Sequence, residues 1–412
     1  MKRPRSLAPQ RTAREWTVRA LLASMAALFG YLGVAHSLAL ATMTADPVWA
    51  HALAPYDGRV TGRLALQRLS EKQNVASTEA IGRWARLALR QDPTVIDAVV
   101  TLGLQAQLRG DLPSARRLFA YAELLSRRDL KTQLWAIEDT VARGDVPQAL
   151  HHYDIALRTS MKAPELLFPV LADAIADPVI RTNLISILAA KPIWGTGFVV
   201  YIVSKGQDPR LTAALFTGLH RAGVSLPQDV TAALINNLVA IDEVDDAWRF
   251  YATIRSGAKR SRSRDPHFSV AMTTPALFDW TPINDAGIST SIQPSANGIF
   301  DFAVSPSVGG PMLTQMQALP SGLYYLRGRS VGLDQPERSL PYWLLACHNG
   351  RELGRVTVTR SAQAGGNFQG QVRVPSDCSA QTLSLIARPS DAVSGVTGQI
   401  DLVQLVPVPG GQ

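Results

Sequence analysis

The chain has 412 residues, of which 46% are hydrophobic and 18% charged, and its formal net charge is +8. That length exceeds what one compact core serves and predicts two or three folded units. The positive charge is concentrated, with net +5 in residues 1–19 and net +5 in residues 255–264, so the remainder is net −2. This argues against nucleic acid as a partner, which would need a broad basic surface.

In chain order, Lys2, Arg3, Arg5, Arg11, Arg14 and Arg19 against Glu15 make residues 1–19 a basic tail. Residues 20–44 contain no Asp, Glu, Lys or Arg and are rich in Leu, Met, Phe and Val, which predicts a transmembrane helix. The positive-inside rule keeps the tail cytoplasmic and exports the rest. Ala39-Leu40-Ala41 also reads as a signal-peptide cleavage site; the length of the apolar run favours a retained anchor.

Next comes a repeat. Gly110, Asp111, Pro113, Ala115, Phe119 and Ala122 recur thirty-four residues later as Gly144, Asp145, Pro147, Ala149, Tyr153 and Ala156. Gly suits a left-handed helix end, Pro a first turn, and small Ala the close approach of two helices. With Leu102 and Gly103, this pattern resembles the tetratricopeptide repeat family, although Val99, Ala106 and Arg127 stand where that family has Trp, Tyr and Pro. The resemblance implies stacked helical hairpins that bind protein partners on a concave face. Pro164, Pro178, Pro209 and Pro227 punctuate further helices, so residues 60–257 are read as one solenoid of about six helical pairs. Of its tryptophans, Trp84, Trp135, Trp194 and Trp248, core packing is the expected role. The adjacent His151 and His152 diverge by about 100° on a helix and are expected to be exposed.

Residues 258–270 read as a basic linker, either a solvated joint or an attraction point for anionic polysaccharide or phosphate-bearing lipid. Beyond it Lys disappears, and eight short alternating runs from Ile299–Val304 to Gln399–Val406 predict a jelly-roll-like β-sandwich over residues 271–412. Its layout resembles carbohydrate-binding modules. That resemblance makes Trp280, Tyr324, Tyr325, Tyr342 and Trp343 candidates for stacking on sugar rings, with Arg327, Asp279, Asn284 and Asp285 bonding hydroxyls. Neighbouring strand residues point to opposite faces, so only one of each pair Tyr324-Tyr325 and Tyr342-Trp343 can face a core. Cys347 and Cys378 are the only cysteines, and in an exported chain they either join or remain as buried free thiols.

No Gly-x-Ser-x-Gly, phosphate loop or His-Glu-x-x-His occurs, so no catalytic, cofactor-binding or metal site is expected. The predicted architecture is multidomain: a transmembrane helix, an all-α solenoid and an all-β sandwich. This organisation resembles accessory proteins of bacterial exopolysaccharide assembly. It implies a single-pass scaffold of the inner (cytoplasmic) membrane with its bulk in the periplasm, meeting envelope proteins through the repeats.

Overall fold

The computed structural model describes residues 13–71 and 75–409. Most of the basic tail therefore lies outside the described residues. The chain divides into two compact units, Met1–Ala163 and Pro164–Gln412.

The first unit opens with α1 (Ala13–Thr42), 30 residues and about 45 Å long at 1.5 Å per residue. Leu21, Leu22, Leu28, Phe29 and Val34 stand exposed along it, and only Ala35 and Ala39 are buried. The chain turns at Asp46, whose carboxylate accepts the Trp49 N–H at 3.0 Å and starts the short α2 (Pro47–Leu53). Ala39, Ala50, Ala54 and Val60 then form a small core, so the last turns of α1 are packed against α2 and the start of α3 (Gly58–Glu71).

After α3 and α4 (Val75–Gln91) come α5 (Ile96–Leu108), α6 (Leu112–Leu125), α7 (Leu130–Ala142) and α8 (Val146–Thr159). Both ends of α7 lie thirty-four residues after those of α5, and the same holds for α8 and α6. Each hairpin turns on a left-handed glycine, Gly110 at φ 77° and Gly144 at φ 72°. The Asp111 N–H reaches back to the Ala106 carbonyl at 2.9 Å, and Asp145 to Thr140 at 3.0 Å. The same aspartates then cap the next helix, accepting from Ser114 N at 3.1 Å and Gln148 N at 3.2 Å. One residue thus ends one helix and begins another.

Ala115, Phe119 and Ala122 are buried in the first copy, as are Ala149, Tyr153 and Ala156 in the second, whereas Leu102 packs on a separate cluster that holds Ala85, Ala88 and Ala98. A Cβ on Gly103 would lie 2.7 Å from the Phe119 ring, so glycine makes room for the aromatic. Phe119 in turn stacks on Trp135 of the following hairpin, with centroids 4.1 Å apart and planes 10° from parallel.

The boundary at Ala163 falls inside the stretch read from sequence as one solenoid. The strict repeat ends with α8, and the later helices belong to the unit that holds the sandwich. They are α9 (Ala163–Ala174), α10 (Pro178–Ala189), α11 (Gly195–Lys205), α12 (Pro209–Arg221), α13 (Gln228–Ala240) and α14 (Val244–Ile254). Asp177 and Asp208 cap α10 and α12, which both open on the proline that punctuates the sequence.

The sandwich is two antiparallel five-stranded sheets. One runs in the order β1 (Thr281–Pro282), β4 (Gly310–Gln317), β9 (Gln381–Ala387), β6 (Tyr342–Cys347), β7 (Glu352–Thr357). The other runs β2 (Ile288–Gln293), β3 (Ile299–Val304), β10 (Val396–Pro407), β5 (Gly322–Val331), β8 (Asn367–Val374). Successive strands mostly cross between sheets, and their inward residues, among them Phe300, Leu345, Leu383, Leu385, Ile400 and Val403, form one continuous core. At one side the sheets close on each other. A Cβ on Gly354 would lie 2.9 Å from Val372, and one on Gly370 would lie 2.6 Å from Val356. Cys347, ending β6, is bonded to Cys378, with Cα atoms 5.7 Å apart.

Candidate functional site

The structure divides the candidate aromatics by side of sheet. Trp343 is fully buried, Tyr324 is 3% exposed and Trp280 is 5% exposed. Trp280 and Trp343 pack together with centroids 5.8 Å apart, the Trp280 indole N–H donates to the Asp265 carbonyl at 3.0 Å, and the Tyr324 hydroxyl donates to the Pro320 carbonyl at 2.8 Å. These three build the core, and Tyr324 and Trp343 present no face to a ligand. Asp279 is likewise buried, while Asn284 and Asp285 shape the turn into β2, with Asn284 Oδ1 accepting the Thr290 N–H at 2.6 Å.

Tyr342 lies on the outer face of its sheet, but its ring carries two guanidinium groups, Arg355 at 5.0 Å and Arg388 at 4.9 Å from the centroid. Arg355 is itself held by both carboxylate oxygens of Glu352, at 2.6 and 2.7 Å. Stacking of this kind occupies the π-face that a sugar would need.

Tyr325 and Arg327 stand elsewhere, on the outer face of the second sheet, where β8, β5 and β10 lie side by side. The pairing register sets out three rows: Gln371, Tyr325 and Val406; Gln369, Arg327 and Gln404; Asn367, Arg329 and Leu402. At ordinary sheet spacings this grid measures about 10 Å by 13 Å. Its side chains fix one another. Gln371 Nε2 donates to the Tyr325 hydroxyl at 3.1 Å, and Arg327 Nη2 donates to Gln404 Oε1 at 3.0 Å. A bulge between Ile400 and Leu402 brings Asp401 to Arg329, whose Nε lies 3.0 and 2.9 Å from the two carboxylate oxygens. That hydrogen bond, followed by the carboxylate charge, raises the Arg329 pKa. Arg327 bonds an amide and keeps its charge available. Amide, phenol and guanidinium groups set in rows present donors and acceptors at sheet spacing, together with one aromatic ring, the chemistry that hydroxyl-rich ligands use.

The basic linker is built into the fold. Arg255 and Arg264 lie 3.6 and 3.5 Å from the Asp279 carboxylate, and the Arg264 guanidinium sits 4.3 Å over the Tyr251 ring. Burial lowers the Arg264 pKa, against the opposing charges of Asp279 and Asp265. Arg260 donates to the Ala318 carbonyl at 2.7 Å and pairs with Asp245. Three of the five cations are thus spent on a joint between α14 and the sandwich, leaving Lys259 and Arg262 exposed. A cavity of about 500 Å³ beside the joint is lined by Arg264, Asp279, Trp280 and Gln315.

In the helical units, Trp135, Trp194 and Trp248 are buried, whereas Trp84 is 40% exposed. His152 is buried, contrary to the exposure expected of it, because its position on α8 faces α7: Nδ1 lies 2.8 Å from Gln133 Oε1 and 3.8 Å from Glu123.

Fold and site together define an N-terminal apolar helix, an all-α region and a C-terminal β-sandwich with a polar outer sheet face. No family model and no curated protein matches the sequence. Among solved structures, an α-L-arabinofuranosidase (MgGH51) is similar at 17% identity and TM-score 0.28, over 39% of this chain and 29% of that one. This chain thus spans less than a third of that enzyme. The CBM22-1 xylan-binding domain of Paenibacillus barcinonensis Xyn10C is similar at 14% identity and TM-score 0.24, over 35% of this chain and 92% of that one. CsCBM6-3 of Clostridium stercorarium, solved with cellobiose, is similar at 8% identity and TM-score 0.22, over 32% and 95%.

Proposed function

We propose that this chain is a membrane-anchored scaffold of the bacterial envelope that holds polysaccharide on the outer face of its sandwich and protein components on its helical hairpins. It serves surface-polysaccharide assembly or export without catalysing a reaction. The observation that carries the glycan part is the grid around Tyr325 and Arg327, where a half-exposed ring stands beside amides that are already oriented. Arg327 favours a chain that carries acidic sugars. Retention of the anchor is supported by Ala39, which is fully buried against Ala50, Ala54 and Val60. Cleavage after Ala41 would require the end of α1 to unwind and leave this core.

The buried joint around Asp279 favours a second reading, a stiff spacer that contacts no sugar. Binding of full-length protein in detergent to acidic and neutral polysaccharides separates the two. The first reading expects retention on an acidic glycan that Tyr325→Ala or Arg327→Ala weakens about tenfold, equivalent to about 1.4 kcal/mol, while Tyr342→Ala leaves it unchanged. Equal, negligible retention of all four proteins supports the spacer.

A further inference from the structure

The outward side of α2 is unusually apolar for a surface helix. The segment Pro-Val-Trp-Ala-His-Ala-Leu has no Asp, Glu, Lys or Arg, and Pro47 and Ala50 are its buried side. Opposite them, Val48 is 46% and Trp49 43% exposed, with Ala52 exposed, while Leu53 packs on the Ala50 side. Just beyond the helix, Tyr56 is 52% exposed.

The position of this face follows from its packing. The seven residues of α2 rise about 10 Å, close to the distance from Thr42 back to His36 along α1. By residue 56 the chain is again level with His36, since the Tyr56 and His36 rings stack with centroids 6.3 Å apart and planes 14° from parallel. Charged groups also gather at that level: Asp57 lies 3.6 Å from His36 and 3.0 Å from Arg59. A hydrocarbon layer about 30 Å thick needs about 20 residues, which measured back from His36 ends near Thr17, next to the 60%-exposed Trp16. Trp16 and the Trp49–Tyr56 pair then fall at opposite boundaries of the layer, the levels where Trp and Tyr collect.

We infer that the outward face of α2, made by Val48, Trp49 and Ala52 and extended by Tyr56, lies in the headgroup–acyl boundary of the bilayer that α1 crosses. The inference rests on the retained-anchor reading. Its physical content is that α1 alone would let the first unit swing on the membrane, whereas a second apolar contact fixed to the end of α1 restrains its tilt. The excess apolar length after Ala35 serves this arrangement. Those residues leave the bilayer and hold α2 in place through Ala39, Ala50 and Ala54.

The test uses full-length protein in phosphatidylcholine–phosphatidylglycerol vesicles, labelled with an environment-sensitive fluorophore at one introduced thiol. Sites are Val48→Cys and Ala52→Cys on α2, Leu28→Cys in α1, and Leu124→Cys, a position 85% exposed on α6. Nitroxide lipids carrying the quencher near the headgroup should quench positions 48 and 52 at least about twofold more than position 124, and deep-chain nitroxides should quench position 28. Quenching at 28 with positions 48 and 52 matching 124 overturns the surface assignment and leaves the anchor standing. No quenching at 28 overturns the anchor and the surface with it.

Discussion

The phenolic hydroxyl of Tyr251, in α14, donates to the Asp279 carboxylate at 2.7 Å, across the boundary between the helices and the sandwich of the second unit. Around it Trp248 and Phe278 meet edge to face with centroids 5.2 Å apart, and the Ala276 N–H also reaches Asp279, at 3.1 Å. One buried carboxylate therefore joins a helix, the basic segment and the start of β1.

Removing one partner of such a cluster costs more than the hydrogen bond alone, because the others stay buried. Tyr251→Phe should lower stability by about 1.5–3 kcal/mol. Asp279→Ala, which strands Arg255 and Arg264, should cost about 3–5 kcal/mol. Urea unfolding followed by fluorescence measures both, and equal effects from the two substitutions would contradict this assignment.

At the repeat, Gly103→Ala should destabilise the first unit by about 1–3 kcal/mol, since the new methyl meets the Phe119 ring where that ring is already stacked on Trp135. The double variant with Phe119→Leu should recover part of the loss, because the smaller side chain can yield. Thermal unfolding of the set is the measurement.

Burial lowers the His152 pKa, an effect that the Glu123 charge opposes and the charges of His151 and Arg143 reinforce. The unfolded chain then binds more protons than the folded one in the window below about 6.5, so stability is fully present above that pH and is lost as pH falls through the lowered folded pKa. His51, also lowered by burial, has the same sign. Melting temperature should drop below pH 6.5, and His152→Gln should flatten that slope.

The disulfide closes a loop of sequence separation 31. In the chain-entropy model its reduction should cost roughly 3–4 kcal/mol. A Cys347→Ser, Cys378→Ser double variant should show this as a lower urea midpoint, and melting insensitive to reductant would contradict it.

Where residues near in sequence decide a feature, the sequence was legible. Gly110, Gly144 and the Asp-x-Pro starts announced hairpins because turn and cap chemistry are local. Alternation located eight strands, yet Ile288–Gln293 escaped because its outward Ser residues and its central Thr dilute the apolar signal. Alternation also required the members of Tyr342-Trp343 to part. It could not say that Trp343 goes inward, which depends on Trp280 arriving from sixty residues away. The basic run looked solvated for the same reason. Its neutralising partners, Asp245 and Asp279, are brought in by tertiary structure, and Gln371 comes beside Tyr325, and Gln369 and Gln404 beside Arg327, only once the register is set.

Gly354 and Gly370 also shape the borders of the sandwich. By letting the valines of β7 and β8 approach, they bring two sheet borders together, while on the opposite side one sheet ends in the two-residue β1 and the other in β2, whose outward residues are Ser289, Ser291 and Gln293. Exposed strand borders recruit copies of themselves, and crowding along a surface multiplies the chances of such recruitment. A domain with two borders closed on each other, a third very short and a fourth faced with polar side chains can be displayed at high density with little tendency to seed filaments.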